Sequence, residues 1–370
     1  MQTISKHQLE RALSLRDLSN PAQGAHAMQR IASAITSTLA DHWGCPVIEY
    51  RECPIVTIRD NYEVLGYPPD APARESRYTR YVDQDRLLRT HASAMVPHAM
   101  AQLVTGAEVD VVVAPVGLVY RRDVVDRLHV GEPHQLDLWR VRRDGSRTGE
   151  ELREMIAMIV EAVLPGARWR ANQASHPYTE KGLEVEVSVD GRWVELLECG
   201  LAGSHVLRAG GLDERWSGLA LGIGLDRALM LRKGITDIRL LRSNDHRVQV
   251  QMLDLEPYRP VSAMPATRRD LSIAVQGDLT PEELGDRVRA ALTGEDLDSV
   301  EEMAVISETA ADDLPAQAIE RIGLQSGQKN VLVRLILRHP TRTMSAREGN
   351  RIRDAVYSAI HEGTAHQWAS

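Results

Sequence analysis

The chain has 370 residues and a mass of 41.2 kDa, enough for two or three domains at roughly 100–200 residues each. It is 43% hydrophobic and 26% charged, with a net charge of −8 and a pI near 5.9. These values exclude a mainly disordered chain and a uniformly basic nucleic-acid coat, while leaving room for local basic patches. No apolar run approaches the ~18 residues that span a bilayer. The opening Met1-Gln2-Thr3-Ile4-Ser5-Lys6-His7 has no basic-then-apolar signal layout. Cys45, Cys53 and Cys199 cannot make a disulfide framework, and no pair has Cys-x-x-Cys spacing. The reading is a cytoplasmic protein without a membrane partner.

One count is abnormal. Phenylalanine is absent, yet nine Tyr and six Trp are present. Almost all basic residues are Arg, the exceptions being Lys6, Lys181, Lys233 and Lys329, which points to GC-rich codons. Tyr codons are as AU-rich as Phe codons, so bias alone does not remove every Phe.

Along the chain, apolar positions Ala27, Met28, Ile31, Ala32, Ile35 and Leu39 predict a helix over 20–43, stopped by Gly44. Strand-like text follows at 47–50 and 55–58, then a Pro-rich loop at 66–76. Residues 89–105 read as helix, 109–114 as a buried strand, and 117–120 as the start of another. A helix over 150–163 precedes strands at 183–187 and 193–197, with Asp190-Gly191 as their hairpin turn. Residues 219–231 run from strand into helix. This order implies an antiparallel sheet with helices, not a βαβ repeat.

Tyr258-Arg259-Pro260 marks a boundary, giving domains 1–258 and 259–370. The second reads β (269–275), α (281–292), β (297–307), β (330–338), α (345–361). Thr280-Pro281-Glu282-Glu283 is a capped helix start, and Ser345 with Glu348 repeats the capping box. The order βαββα, with an optional last strand, is that of a ferredoxin-like module.

Two segments carry chemistry. Val119-Tyr120-Arg121-Arg122-Asp123 returns through His129 to His134-Gln135-Leu136-Asp137. A strand–loop–strand with Arg at its start and His in its loop suits a triphosphate, because Arg forms bidentate contacts. Gly218-Leu219-Ala220-Leu221-Gly222-Ile223-Gly224-Leu225-Asp226-Arg227 places three glycines in a strand and an Arg in the helix behind it. A planar guanidinium can stack on a flat ring and pair with phosphate.

Together these segments resemble motifs 2 and 3 of class II aminoacyl-tRNA synthetases. In detail they are similar to the phenylalanyl-tRNA synthetase family, in its single-chain, mitochondrial-like form. Leu88-Arg89-Thr90-His91-Ala92-Ser93, Ser217 to Gly222, Asp237-Ile238-Arg239-Leu240, Met264 to Ser272 and Arg342-Thr343-Met344-Ser345 also match. The resemblance covers about residues 40–370. It implies an α+β chain: a class II synthetase antiparallel sheet flanked by helices, then a ferredoxin-like α/β sandwich domain that binds the anticodon. It implies a phenylalanine–tRNA ligase-like enzyme that activates phenylalanine, or a close aromatic analogue, with ATP and Mg²⁺ and transfers it to tRNA. The family occurs as monomer or homodimer, with motif 1 near Pro54.

By the same resemblance, Arg121, His129 and Arg227 are the catalytic set, with Arg121 on the α-phosphate and Arg227 on adenine and the γ-phosphate. Asp123, Pro133 and Glu195 join them around ATP, and Glu180 and Glu195 are the metal-facing carboxylates. His91, Ser93, Gln135 and Asp137 hold the amino acid's charged end. His176, Tyr178, Thr179 and Ala220 line its side-chain pocket. The chain departs from the family where His176-Pro177-Tyr178 replaces Phe-Pro-Phe, Pro133 replaces an adenine-stacking Phe, Asp137 replaces Glu, and Glu198 replaces Gly. These changes leave two further readings: activation of a polar aromatic amino acid in a biosynthetic or resistance role, or a non-catalytic tRNA-binding regulator. The absent residue is the one the relatives handle. A chain without phenylalanine can be made when charged phenylalanine tRNA is scarce, which restoring Phe codons and measuring synthesis under starvation would test.

Overall fold

The computed structural model describes residues 2–366 except 105, 107, 125, 146, 262 and 263. The chain divides into two compact units. One comprises Met1–Arg121, Glu132–Ile235 and Gln251–Tyr258, the other Arg122–Gly131, Thr236–Val250 and Arg259–Ser370. Segments 122–131 and 236–250, read from sequence as part of a domain over 1–258, group instead with the second unit. Long-range hydrogen bonds account for this. Arg289 donates to the carbonyl of Asp123 at 2.6 Å, and Arg239 donates to the carbonyls of Asp298 at 2.6 Å and Arg338 at 3.1 Å. Such partners leave no periodic trace in a sequence.

The first unit contains α1 (Lys6–Leu13), α2 (Ala27–Trp43), β1 (Val47–Tyr50), β2 (Ile55–Thr57), β3 (Arg86–Leu88), α3 (Val96–Ala101), β4 (Asp110–Leu118), β5 (His134–Arg143), α4 (Gly149–Val163), β6 (Trp169–Gln173), β7 (Thr179–Val189), β8 (Arg192–Ala202), α5 (Ser204–Ala209), β9 (Trp216–Gly224) and α6 (Leu225–Lys233). Seven strands form one sheet in the order β1-β4-β5-β9-β8-β7-β6, antiparallel throughout except for the parallel β1–β4 pair. This is the α+β, class II-like sheet that the motifs implied. β2 and β3 form a separate two-stranded sheet.

Several elements differ from the sequence reading. The helix expected from residue 20 begins at Ala27, where the His26 ring accepts from the backbone of Met28 at 3.2 Å. It ends at Gly44, whose φ of +60° suits a residue without Cβ. The helix expected over 89–105 shrinks to a 3₁₀ turn at Ala92–Met95 and α3. The backbone of Arg89 is already committed: its N–H donates to Pro54 at 2.9 Å, and its carbonyl accepts from Tyr120 at 2.8 Å. Its buried guanidinium also donates to the carbonyls of Leu118 at 2.8 Å and Glu52 at 3.0 Å. The two strands expected around Gly117 are one continuous β4. At Gly117, φ is +154°, and a Cβ would stand 2.7 Å from the Arg89 guanidinium. The Asp190-Gly191 turn has φ of +49° and +78°, the left-handed pair that a two-residue hairpin uses.

β9 shows why a glycine-rich strand sits in the middle of this sheet. Side chains alternate between its faces. Leu219, Leu221 and Ile223 point one way and are buried. Gly218, Ala220, Gly222 and Gly224 occupy the other face, so that face of the strand is nearly bare backbone.

The second unit contains α7 (His246–Gln249), β10 (Thr267–Gln276), α8 (Pro281–Ala291), α9 (Gly294–Asp298), β11 (Val300–Ala310), α10 (Ala316–Ile322), β12 (Gln328–Leu337) and α11 (Ala346–Ile360). Its strands form an antiparallel sheet in the order β10-β12-β11. Both expected capping boxes, at Thr280 and Ser345, are formed. α8 and α11 bury Leu284, Val288, Ile352 and Val356 with Ile273, Val331, Val333 and Leu335 from the sheet. Among the described residues there is no fourth strand, and α9 and α10 are helices that the sequence reading did not identify.

Candidate active site

The bare face of β9 is the floor of the site. Asp137 of β5 pairs with Gly222, which pairs with Glu198 of β8, so three neighbouring strands present Asp137, Gly222 and Glu198 in one row. The next row on this face is Trp139, Ala220 and Gly200. On the other side of the first row Gln135 stands opposite Gly224. Above Gly224 nothing comes within 4 Å of an added Cβ, and above Gly222 only the Asp137 carboxylate does, at 3.3 Å.

The segment leaving β3 supplies one wall. Asn61 holds it in place: its carboxamide oxygen accepts from the backbone of Thr90 at 3.0 Å, and its amide nitrogen donates to the Thr90 hydroxyl at 2.9 Å. His91 Nε2 donates to the Asn61 carbonyl at 2.7 Å, which leaves Nδ1 as an acceptor. Burial pushes the His91 pKa down to about 4, so the ring is neutral at pH 7. Ser93 donates to Asp137 at 2.6 Å, and the backbone of Ala92 donates to the Gln135 side chain at 3.0 Å. Burial pushes the Asp137 carboxyl up to about 6, against the hydrogen bonds from Ser93 and Trp139 and the nearby charge of Arg121. This cluster offers acceptors and a carboxylate, the donor-seeking surface an ammonium group requires.

Rings close the deep end. Tyr178 lies 6.4 Å from both Trp139 and Tyr67, and His176 stacks on Tyr178 at 5.7 Å. Tyr67 also packs at 5.5 Å on Tyr62 and on His91. His176 bonds Thr179 at 3.1 Å through Nδ1 and lies 3.5 Å from Glu198 through Nε2. Thr179 packs against Gly200, where an added Cβ would meet it at 2.6 Å.

Two arginines, Arg121 and Arg227, supply the positive charge. Arg121 anchors its Nε on the Thr90 carbonyl at 2.7 Å. Its charge acts on Asp137, Glu198, His91 and Tyr67. Arg227, in the first turn of α6, donates to Glu195 at 3.1 Å. Its neighbour Asp226 accepts from the backbone of His134 at 2.5 Å and faces the His134 ring at 3.2 Å. Pro133 precedes that buried His and is half-buried.

The structure does not bring Glu180 and Glu195 together. Glu180 pairs with Leu201 of β8, six residues along the strand from Glu195, a gap of about 20 Å. They cannot share an ion, and among the described residues no cluster of three His, Cys, Asp or Glu could hold one. Asp123 and His129 lie on the 122–131 segment of the second unit, where His129 Nδ1 sits 2.8 Å from Asp126. Sequence reasoning missed Asn61, Tyr67 and Trp139. Trp139 was within reach, since it lies two residues beyond Asp137 on the same strand face.

Residues 13–252 match the model of the tRNA synthetases class II core domain (F). The chain belongs to the class II tRNA synthetases. Among curated synthetases, the phenylalanine–tRNA ligase alpha subunit of Prochlorococcus marinus (strain MIT 9313) is 38% identical over 237 residues, 62% of this chain and 68% of that protein. The alpha subunit of Acaryochloris marina (strain MBIC 11017) is 37% identical over 188 residues, 50% of this chain and 55% of that protein, so the chain spans about half of its length. The probable mitochondrial phenylalanine–tRNA ligase of Drosophila melanogaster is 26% identical over 391 aligned positions, 90% of this chain and 81% of that protein. The synthetase core match covers the sheet, the His91–Ser93 wall and Arg227, and no helix among the described residues is long and apolar enough to cross a membrane.

Proposed function

We propose that this synthetase activates phenylalanine, or a close aromatic analogue, with ATP and esterifies it to tRNA. The observation that carries this reading is the row Asp137–Gly222–Glu198 beside neutral His91, with aromatic rings around it and the Arg121 charge acting on both carboxylates. The names of the relatives supply the amino acid and the acceptor. Asp137, Gln135 and the Nδ1 of His91 receive the ammonium. Ala220 and Thr179 bound the depth beneath Tyr178.

ATP, delivered as its magnesium complex, is the second substrate. An oxygen of the amino acid carboxylate attacks the α-phosphorus, the bond to the leaving phosphate breaks, and pyrophosphate departs with the electron pair. Arg121 faces the charge that develops on the α-phosphate, and Arg227 covers adenine while Glu195 holds its guanidinium. Pro133 completes the nucleotide contacts within this unit. No step is assigned to a metal held by Glu180 and Glu195. A tRNA hydroxyl then attacks the carbonyl carbon and displaces AMP. The second unit's ferredoxin-like sheet is the anticodon-reading part, the assembly is a monomer or homodimer, and the free thiols of Cys45, Cys53 and Cys199 suit the cytoplasm.

ATP–pyrophosphate exchange over an amino-acid panel tests the reading. Exchange with phenylalanine or an aromatic analogue is expected, and none with any amino acid would sink it. Arg227→Ala should lower exchange by roughly 10²–10³ and leave tRNA binding largely intact.

A further inference from the structure

The cleft holds one carboxylate that the ammonium clamp does not use. Asp137 already has Ser93 and Trp139 as donors and faces the substrate's ammonium. Glu198 stands two strands away in the same row, about 10 Å from Asp137 at the Cα atoms. That span is comparable with the length of an aromatic amino acid. Glu198 has its own partner on the ring-lined side: His176 Nε2, 3.5 Å away, in a ring that is 8% exposed. His176 Nε2 is buried and makes no hydrogen bond, so its 3.5 Å contact with Glu198 is a loose one. His176 holds the Glu198 carboxyl below the usual carboxylate range, and the Glu198 side chain remains 43% exposed.

The same wall carries two phenols. Tyr67 and Tyr178 meet ring to ring, and neither hydroxyl hydrogen-bonds within the chain among the described residues. The Glu198 charge acts on both. An ionised carboxylate only accepts hydrogen bonds, and a phenol can accept or donate. An unsubstituted ring laid against Glu198 strips water from it and returns nothing. A ring bearing O–H or N–H restores the lost hydrogen bond.

We propose that Glu198, braced by His176, selects phenylalanine analogues that carry a hydrogen-bond donor, a hydroxyl or an amino group, on the ring. This rests on the reading of the cleft as the amino-acid site and deepens it by naming the substrate class. Glu198 is then a specificity-determining residue, and the two phenols are secondary partners for the same substituent.

The test is ATP–pyrophosphate exchange by the full chain with phenylalanine, 4-methylphenylalanine, meta-tyrosine, tyrosine and 4-aminophenylalanine. At least one donor-bearing analogue is expected to exceed both phenylalanine and the methyl control in kcat/KM by roughly tenfold or more. Glu198→Gln should shrink that ratio, and Glu198→Gly should reverse it toward phenylalanine, with the KM for ATP little changed. Glu198→Gln is the same size, so it keeps the test usable if the glycine variant folds poorly. Phenylalanine equalling or exceeding every donor-bearing analogue, or a ratio unmoved in both variants, overturns the proposal while leaving amino-acid activation standing. Absence of exchange with the whole panel overturns the activation reading and this proposal with it.

Discussion

Asp137 and Glu198 flank the same glycine, Gly222, from opposite strands, so two carboxylates share one face of the sheet. Their environments differ. Burial raises the Asp137 carboxyl to about 6, and His176 lowers that of Glu198. At pH 7 both are ionised, but only Asp137 titrates just below neutrality.

That difference sets a pH dependence. Below pH 6 the free enzyme holds Asp137 protonated, and the proton must leave before the carboxylate can pair with an ammonium. The KM for the amino acid should therefore rise as pH falls through 6. Stability moves oppositely. The folded pKa lies above the ordinary 3.8, so the native state binds the proton more tightly, and stability falls as pH rises from about 4 to 6, by roughly 2–3 kcal/mol. Asp137→Asn should flatten both profiles. Urea unfolding at pH 4.5 and 7 and exchange kinetics over pH 5–8 check the two arms.

Gly222 and Gly200 lie on one face but should respond differently to alanine. At Gly222 an added Cβ meets only Asp137 Oδ1, at 3.3 Å, and φ is not positive. The variant should fold with near-normal stability and raise the KM for the amino acid roughly ten- to a hundredfold by shifting the carboxylate. At Gly200 the Cβ would meet Thr179 at 2.6 Å and the Glu180 carbonyl at 3.0 Å. That variant should lose about 1–3 kcal/mol of stability by overpacking. Parallel denaturation and exchange assays separate the two effects.

His134 is fully buried and its tautomer is fixed. The backbone N–H of Leu18 donates to Nε2 at 3.0 Å, so Nδ1 carries the proton that faces Asp226. His134→Ala leaves the Asp226 carboxylate, 4% exposed, without that proton, and should cost about 1–3 kcal/mol. His134→Asn, whose amide can stand where Nδ1 stood, should recover part of the loss. The denaturation midpoints of the two variants decide it, and equal midpoints would count against the pairing.

In the second unit Glu301 is 5% exposed and faces three guanidinium groups: Arg338 at 2.5 Å, Arg127 at 3.5 Å and Arg239 at 3.7 Å. Arg127 and Arg239 belong to the two segments that leave the first unit's stretch of sequence to pack here. Glu301→Gln should destabilise this unit by about 1–3 kcal/mol, since it weakens the charge-assisted bonds of Arg338 and of the buried Arg239. Limited proteolysis within 122–131 and 236–250 should speed up in the variant, and unchanged cleavage would show that the network does not hold them.

Local rules made much of the fold legible. Period-three and period-four apolar spacing marked α2, the Asp190-Gly191 pair marked the β7–β8 hairpin, and capping boxes marked α8 and α11. Where a distant partner decided, local rules failed. The helix read over 89–105 was cut back to a 3₁₀ turn and α3 where the Arg89 backbone bonds Pro54 and Tyr120, and the break read at Gly117 was closed by pairing with Gln135. Glu180 and Glu195, the carboxylates that the resemblance assigned to a metal, lie about 20 Å apart along the β7–β8 pair, a separation that strand register sets and residue identity does not.

The sequence by itself determined the chemistry available: the arginines, the acidic and ring-bearing positions, the glycine alternation of β9, and the absence of any phenylalanine. Each is a property of residue type and spacing, which a chain carries before it folds. Only the tertiary structure decided which groups meet. Sheet register put Asp137, Gly222 and Glu198 in one row and separated Glu180 from Glu195. Burial then set the charge states, holding His91 neutral and raising Asp137, because the free energy of a charge depends on the water it loses and the neighbours it gains. Both are properties of a place in the fold, not of the residue that occupies it.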